Sequence, residues 1–193
     1  MNTQDYTPFD ISWKEIFQKQ QMLKFAYEPE AKTQFENFDI DTYEDQELFK
    51  RYCWRITEEL AEAIEASSQD KEHENEELID ALNFTIELLL LYGWGDKSFI
   101  DNSEVETFAI PLDSLQRAGI AIYILGLAAN CLKNRQWRRS QYLVDLIVFE
   151  YRLKCFAAYM YKLLLFTFGS DEEIRKAWSL KYQVNLFRIQ TNY

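Results

Sequence analysis

The chain contains few histidines and cysteines, the residues on which histidine-based catalysis, thiol chemistry and zinc binding depend. It has one histidine, three cysteines, three prolines and five glycines among 193 residues. The single histidine, His73, lies in a polar stretch that is predicted to be a loop, so a Ser-His-Asp triad or another histidine-based scheme is not expected and the side chain is interpreted as solvated. The cysteines Cys53, Cys131 and Cys155 are widely spaced without a CxxC pattern. They are therefore interpreted as structural thiols of a reducing compartment, and a zinc site is not expected.

The chain also lacks an excess of positive charge and long hydrophobic runs. Its formal net charge is −11 and its sequence pI is near 4.7. A phosphate backbone would be repelled, so no nucleic-acid partner is expected. Residues 1–10 have no apolar segment of the kind found in secretory signals, and the apolar run 118–132 is shorter than the roughly 20 residues that span a bilayer. We predict no membrane association and a cytoplasmic location.

The scarcity of proline and glycine leaves long uninterrupted segments, which is typical of an all-α protein. Ser170 followed by Glu173 is a capping-box pattern, and Gly169 just before it is typical of a helix end. With 48% hydrophobic residues, the chain can bury one core, so a single domain over 1–193 is predicted. Helices are predicted at residues 11–27, 44–67, 74–93, 113–133, 137–168 and 171–190.

Two acidic pairs stand out from the many other carboxylates. Glu59 and Glu62 form one pair, and Glu77 and Asp80 form the other. Residues three apart on a helix lie on one side, with Cβ atoms about 5–6 Å apart. The polar stretch 66–74 is predicted to be a loop between two antiparallel helices, so the two pairs could face each other. Four carboxylates in one place are suited to Mg²⁺, which prefers oxygen ligands.

An ordinary solvated surface is the alternative interpretation of these acids, because 32 Asp and Glu residues produce such pairs by chance. The position of the second pair argues against this surface interpretation. The second pair lies in a helix that is apolar nearly all round and is therefore predicted to be buried. Buried carboxylates are costly unless they are paired or bound to a metal.

The two acidic segments resemble a known family. Residues 55–63 (RITEELAEA) and 77–84 (ELIDALNF) are similar to the ExxE…ExxD signature of the all-α NTP pyrophosphatases, which include MazG-like enzymes and dimeric dUTPases. The ending 181–193 (KYQVNLFRIQTNY) resembles the K-x-x-x-N-x-x-R-Q-x-x-G-Y ending of dimeric dUTPases and related phage dCTPase-dUTPases. Ile189 and Asn192 depart from that pattern.

The resemblance implies roles for individual residues. It makes Glu59, Glu62, Glu77 and Asp80 catalytic ligands of two or three Mg²⁺ ions, for which Mn²⁺ can substitute. It assigns substrate contacts to residues from four segments: Gln20, Trp54, Asn83, Lys181, Asn185, Arg188 and Tyr193. Gln20 has competitors in Gln18 and Gln21, and position 24 has lysine where the family has asparagine. A solvated glutamine-rich face is an equal alternative for that segment, and Trp54, with Tyr52, could equally be a packing residue.

The resemblance predicts a helical bundle of the all-α NTP pyrophosphatase type with extra helices inserted at about 94–169, before the C-terminal helix. The insertion is expected to pack on the core or on a second subunit, and Asp145 and Glu150 within it are candidates for further metal ligands or for capping roles. The implied activity is Mg²⁺-dependent hydrolysis of dUTP, or of dUDP or dCTP, to the monophosphate and pyrophosphate by a homodimer. A MazG-like enzyme of other or broad specificity and a non-catalytic helical binding protein are the alternatives.

Overall fold

The computed structural model of the protein describes residues 11–100, 109–111, 113–134 and 145–191. Within these ranges the regular structure is helical throughout, without a strand, which confirms the all-α prediction. The helices are α1 (Trp13–Tyr27), α2 (Ala31–Glu36), α3 (Tyr43–Ala66), α4 (Lys71–Leu91), α5 (Lys97–Ile100), α6 (Ser114–Ala129), α7 (Leu146–Phe168) and α8 (Asp171–Thr191).

Helices α3 and α4 form the central antiparallel pair. Ala63 and Leu78 line one small cavity near the connection, whereas the rings of Phe49 and Tyr92 lie 6.5 Å apart at the other end. The end of α3 thus packs against the start of α4, and the start of α3 against the end of α4, so the two helices are antiparallel, as predicted. The connection is short because α4 begins at Lys71, where the Asp70 side chain accepts hydrogen bonds from the backbone of Glu72 and His73. The predicted start at residue 74 was therefore too late.

The remaining long helices surround this pair. Helix α6 packs against α3 and α7, helix α7 also contacts α4 and α8, and α1 lies between α4 and α8. The core is rich in aromatic rings, and Phe49, Phe149, Phe156 and Trp178 are all almost completely inaccessible to solvent. The segment 94–169 therefore contributes α6 and α7 to the same core, as the apolar character of these segments predicted.

The ends of the helices follow local chemistry. Ser12 and Glu15 form a reciprocal capping box at the start of α1, and Asp145 caps α7 through the Val148 backbone. Gly169 ends α7 with a φ of +84°, a conformation that favours glycine. The predicted helix 137–168 was wrong at its start, because Asp145 is an extended cap residue and α7 begins at Leu146; residues 137–144 lie outside the described ranges. The short helices α2 and α5 were not predicted. Within the described ranges, no helix combines the length and the apolarity that crossing a bilayer requires.

Candidate active site

Three of the four predicted acids come together between α3 and α4. One carboxylate oxygen each from Glu59, Glu77 and Asp80 lies within 4.8 Å of the other two. The i, i+3 spacing places Glu77 and Asp80 on one side of α4, and the antiparallel packing brings Glu59 of α3 opposite them. We call these three residues the acidic cluster.

Glu62 is not a member of the acidic cluster. Its side chain is exposed on α3, one turn beyond Glu59. Its negative charge nevertheless contributes to raising the pKa of Glu59. The structure therefore places Glu62 at the solvent side of the acidic cluster, and its role as a metal ligand stays a prediction.

Burial and mutual repulsion together set the electrostatics of the acidic cluster. Partial burial, and then the charge of Asp80 and the contact with Glu77, raise the pKa of Glu59 to about 8. Two cationic or potentially cationic side chains offset the negative charge. The Lys181 Nζ lies 2.6 Å from Asp80 Oδ2, and the exposed His73 Nδ1 lies 3.2 Å from Glu77 Oε1. The site is thus a concentrated negative centre with only partial compensation.

The acidic cluster lies at one side of an open groove of about 790 Å³. Helices α1, α3, α4 and α8 all contribute to its walls. The lining residues are Gln20, Leu23, Lys24, Tyr27, Glu28, Glu59, Asp80, Asn83, Phe84, Glu87, Asn185 and Arg188. The groove therefore brings together, with the acidic cluster, four of the substrate-contact residues that the sequence predicted: Gln20, Asn83, Asn185 and Arg188.

Asn83 has a fixed orientation in the groove. Its Nδ2 donates to Asp80 Oδ1 at 3.2 Å, and its Oδ1 accepts from the Trp178 Nε1 at 2.8 Å. Trp178 is itself buried and stacks on Tyr182, with ring centres 5.1 Å apart. Two bonds from opposite directions restrict rotation of the amide. Helix α8 is thereby linked to the acidic cluster through both Asn83 and Lys181.

The groove lining also contains two groups to which the sequence analysis assigned no role, Lys24 and Glu87. The Lys24 Nζ lies 3.4 Å from Glu87 Oε2 and 2.8 Å from Glu28 Oε1. Glu87 Oε1 accepts a hydrogen bond from Gln20 Nε2 at 2.9 Å. The signal for Glu87 was present in the sequence, because it is an isolated acid in the apolar run 84–91 of a helix predicted to be buried.

The other predicted residues lie elsewhere. Trp54 is 63% exposed and donates to Glu58, outside the groove lining. Tyr52 is buried beside the groove, with Lys24 Nζ 5.0 Å from its ring centre. Glu150 accepts a hydrogen bond from the Tyr92 hydroxyl, and Asp145 is a helix cap. Tyr193 lies outside the described residues.

The three carboxylates of the acidic cluster are suited to a hard divalent cation. All three offer oxygen atoms, and Glu77 is buried while Glu59 and Asp80 are half-buried. The three described cysteines are free thiols, and none of them joins the acidic cluster. Oxygen-only donor sets favour Mg²⁺, Mn²⁺ or Ca²⁺ over zinc.

A scan against protein-family models and searches among curated proteins and solved structures found no match to this chain.

Proposed function

We propose that this protein is a Mg²⁺-dependent hydrolase that converts a deoxynucleoside triphosphate to its monophosphate and pyrophosphate. The observation that carries the proposal is the convergence of Glu59, Glu77 and Asp80 at one side of a groove large enough for a nucleotide. The resemblance of the C-terminal residues to dimeric dUTPases makes dUTP the expected substrate, with dUDP and dCTP as the next candidates. Such an enzyme would act in the cytoplasm of a bacterial or phage-infected cell and keep uracil out of DNA.

The acidic cluster supplies the ligands for the metal. Glu59, Glu77 and Asp80 would hold the cation, and Glu62 at the edge of the acidic cluster would be available for a further ion. Bound Mg²⁺ would supply neutralisation of phosphate charge and a water of lowered pKa. A carboxylate of the acidic cluster would serve as the proton acceptor. Burial, and then the charge of Asp80, raise the pKa of Glu59, and a bound cation would relieve the cost of its charged form.

Helix α8 supplies the groups that hold the substrate. Lys181 lies against Asp80, so its ammonium is at the boundary between the acidic cluster and any phosphate bound there. Asn185 and Arg188 line the groove one and two turns further along α8. Arginine binds phosphate oxygens in a bidentate manner, and such fixed charges stabilise a transition state in which phosphate charge shifts. Asn83, held by Asp80 and Trp178, faces the sugar or base.

A non-catalytic helical binding protein is the second candidate. It is favoured by the ion pair between Lys181 and Asp80, which compensates part of the negative charge without any metal, and by the contact of His73 with Glu77, which adds to that compensation when His73 is protonated. On that interpretation the acidic cluster is a structural ion-pair network. A MazG-like enzyme of broad base specificity is a variant of the first candidate and differs from it only in its substrate range.

Glu77→Gln tests the proposal against the binding-protein alternative. The exchange keeps the shape of the side chain and removes one charge of the acidic cluster. With Mg²⁺ and each nucleotide in turn, the wild-type protein should release monophosphate and pyrophosphate, and Glu77→Gln should lose at least about 10²-fold in rate. Glu76→Gln is the matched control, because Glu76 is exposed on the same helix and should retain full activity.

Absence of pyrophosphate release by the wild-type protein from any nucleotide would reject the hydrolase. Equal rates for Glu77→Gln and Glu76→Gln would reject the acidic cluster as the active site. The homodimer is tested separately by light scattering of the full chain.

A further inference from the structure

Glu74, Ser114 and Arg117 form a buried polar network at the start of α4. Of the first six residues of α4, only Glu74 is buried, with 3% of its surface exposed. Arg117 of α6 is 6% exposed, and its Cζ lies 4.8 Å from the centre of the Phe166 ring. The three polar residues line a small cavity that is separate from the groove of the acidic cluster. We call Glu74, Ser114 and Arg117 the buried network.

The Ser114 hydroxyl connects the two charged groups of the buried network. Its Oγ accepts a hydrogen bond from Arg117 Nη2 at 2.6 Å and donates one to Glu74 Oε1 at 2.9 Å. The other oxygen of Glu74, Oε2, lies 2.7 Å from the Lys71 Nζ. Arg117 Nη1 donates to the Pro111 carbonyl at 3.1 Å. Both oxygens of the Glu74 carboxylate therefore have donors, which offset the cost of burying its charge.

The buried network ties the start of α4 to helices outside the active site. Helix α6 packs against α3 and α7, and neither α6 nor α7 contributes a described residue to the acidic cluster or to the groove lining. From Leu78 onward, most side chains of α4 are buried and apolar, so that part of the helix is held by packing. The turns before Leu78 are exposed except at Glu74. Glu74 is therefore the main tertiary attachment of the start of α4.

Glu77 lies at the boundary between these two parts of α4. It follows Glu74 by three residues and directly precedes Leu78. Residues three apart on a helix are neighbours on its surface, so a shift or fraying of the turn at Glu74 also moves the Glu77 carboxylate. Mg²⁺ demands near-ideal octahedral geometry from its ligands. A displaced Glu77 would therefore weaken cation binding by the acidic cluster.

We propose that Ser114 and Arg117 act through Glu74 as positioning residues for the acidic cluster. By holding the start of α4 in place, they keep the Glu77 carboxylate where it can bind a divalent cation with the other two acids of the cluster. This inference rests on the proposed function for the presence of that cation. It gives α6 a role in a site to which it contributes no ligand.

Loss of charge and loss of position have opposite effects on cation binding. Arg117→Met removes a positive charge that compensates Glu74, three residues from Glu77. If the buried network acted only through its charge, this variant should bind a cation more tightly, because the negative potential at the acidic cluster would increase. If the buried network acts through position, the variant should bind a cation more weakly, because Glu77 is no longer held in place.

The readout is the Mg²⁺ affinity of the full-length protein without nucleotide, measured by isothermal titration calorimetry. Arg117→Met and Ser114→Ala should each weaken Mg²⁺ binding at least about threefold. Ser114→Ala changes no charge, and it carries the test alone if circular dichroism shows that Arg117→Met does not fold. Ser114→Thr retains a hydroxyl and should bind Mg²⁺ like the wild-type protein. Unchanged or tighter Mg²⁺ binding by folded Ser114→Ala or Arg117→Met would overturn the proposal.

Ser179→Ala is the matched control for Ser114→Ala. Ser179 is also buried, and its hydroxyl donates to the Arg175 carbonyl within α8. Ser179→Ala loses a hydrogen bond as Ser114→Ala does, but its Mg²⁺ affinity should be unchanged. Hydrogen exchange in EDTA adds a readout that needs no metal: the amides of residues 74–78 should exchange at least about tenfold faster in Ser114→Ala than in Ser179→Ala. Equal exchange of these amides in the two variants would contradict the positioning role.

The two proposals can fail separately. If the Ser114→Ala and Arg117→Met variants bind Mg²⁺ more weakly but the wild-type protein hydrolyses no nucleotide, the positioning role stands and the hydrolase is rejected. If nucleotides are hydrolysed and both variants bind Mg²⁺ like the wild-type protein, the hydrolase stands and the positioning role is rejected. Absence of Mg²⁺ binding to the wild-type protein would overturn the positioning role, whatever the nucleotide assay shows.

Discussion

Replacing Glu59 by glutamine should make the metal-free protein more stable and remove its response to Mg²⁺. Glu59 shares the acidic cluster with Glu77 and Asp80, and its pKa is raised from 4.5 to about 8, first by partial burial and then by the charge of Asp80. Glutamine has nearly the same shape and no charge. The variant therefore relieves the repulsion that the wild-type protein experiences when no cation is present.

The pKa shift sets the size and sign of this effect. In the unfolded chain Glu59 loses its proton near pH 4.5, whereas in the folded protein it retains it until about pH 8. Folding stability therefore falls as the pH rises from 4.5 to 8 and is unaffected by Glu59 below that window. At about 1.4 kcal/mol per pKa unit, the upper limit at pH 8 is roughly 4 kcal/mol. Because Glu59 is only half-buried, solvent screening reduces this to about 1–2 kcal/mol.

Urea unfolding at pH 5, 6.5 and 8 measures the effect directly, in EDTA and in Mg²⁺. In EDTA, Glu59→Gln should exceed the wild-type protein by about 1–2 kcal/mol at pH 8 and match it near pH 4.5. In Mg²⁺, the wild-type protein should gain stability and the variant should gain much less. Glu65→Gln, an exposed acid on the same helix, is the control. A Glu59→Gln protein that is less stable in EDTA at pH 8 would refute the reasoning.

Three further substitutions test other parts of the account. Lys181→Met removes the ammonium 2.6 Å from Asp80 and should lower the rate of nucleotide hydrolysis by on the order of 10²-fold with the fold retained; full activity would contradict the role of Lys181. Asp171→Ala removes a carboxylate that accepts from Trp13, Tyr161 and Arg175, and should cost about 1–3 kcal/mol in urea unfolding. Burial raises the pKa of Asp171, but these hydrogen bonds lower it by more, so the carboxylate stays ionised below pH 3.8. The difference in stability between Asp171→Ala and the wild-type protein should therefore disappear as the pH falls further below 3.8. A difference that does not change with pH would show that the charge of Asp171 does not contribute to stability. Gly169→Ala places a side chain at φ +84° and should lower the free energy of unfolding in urea by about 1 kcal/mol. An unchanged free energy of unfolding would show that alanine tolerates this conformation.

Hydrophobic periodicity and capping residues were sufficient to predict the long helices. The Ser170 cap and Gly169 lie where the pattern placed them, and the ends of α1, α3 and α8 agree within two residues. Helix α4 was predicted to start too late, because its first turn is polar and resembles a loop in sequence. The Asp70 cap and the contact of Glu74 with Arg117 and Ser114 stabilise this turn, and Arg117 and Ser114 are distant in sequence.

The acidic cluster was only partly predictable. The i, i+3 spacing identified Glu77 and Asp80 as neighbours, and the antiparallel pairing brought Glu59 to them. The same spacing favoured Glu62, but the rotation of α3 about its axis leaves that side chain exposed. This rotation depends on how α6 packs against α3 on the other side, and spacing within α3 contains no information about it.

The pair of Lys24 and Glu87 shows the complementary limitation. Position 24 departs from the family pattern, and Glu87 lies in an apolar run, so each residue was unusual in the sequence. Their partnership depends on the packing of α1 against α4, which places side chains 63 positions apart at a distance of 3.4 Å. Sequence reasoning could mark each residue as costly to bury, but it could not pair them.

The most direct test of the central claim is a hydrolysis assay of the purified full-length protein with Mg²⁺ and dUTP, dCTP, dATP, dGTP or dTTP separately, with quantification of monophosphate and pyrophosphate. The account predicts stoichiometric release of both products, abolished by EDTA and by Glu77→Gln, with dUTP as the expected best substrate. Failure of the wild-type protein to release pyrophosphate from any of the five nucleotides would contradict the account and leave a helical protein whose acidic cluster is an ion-pair network.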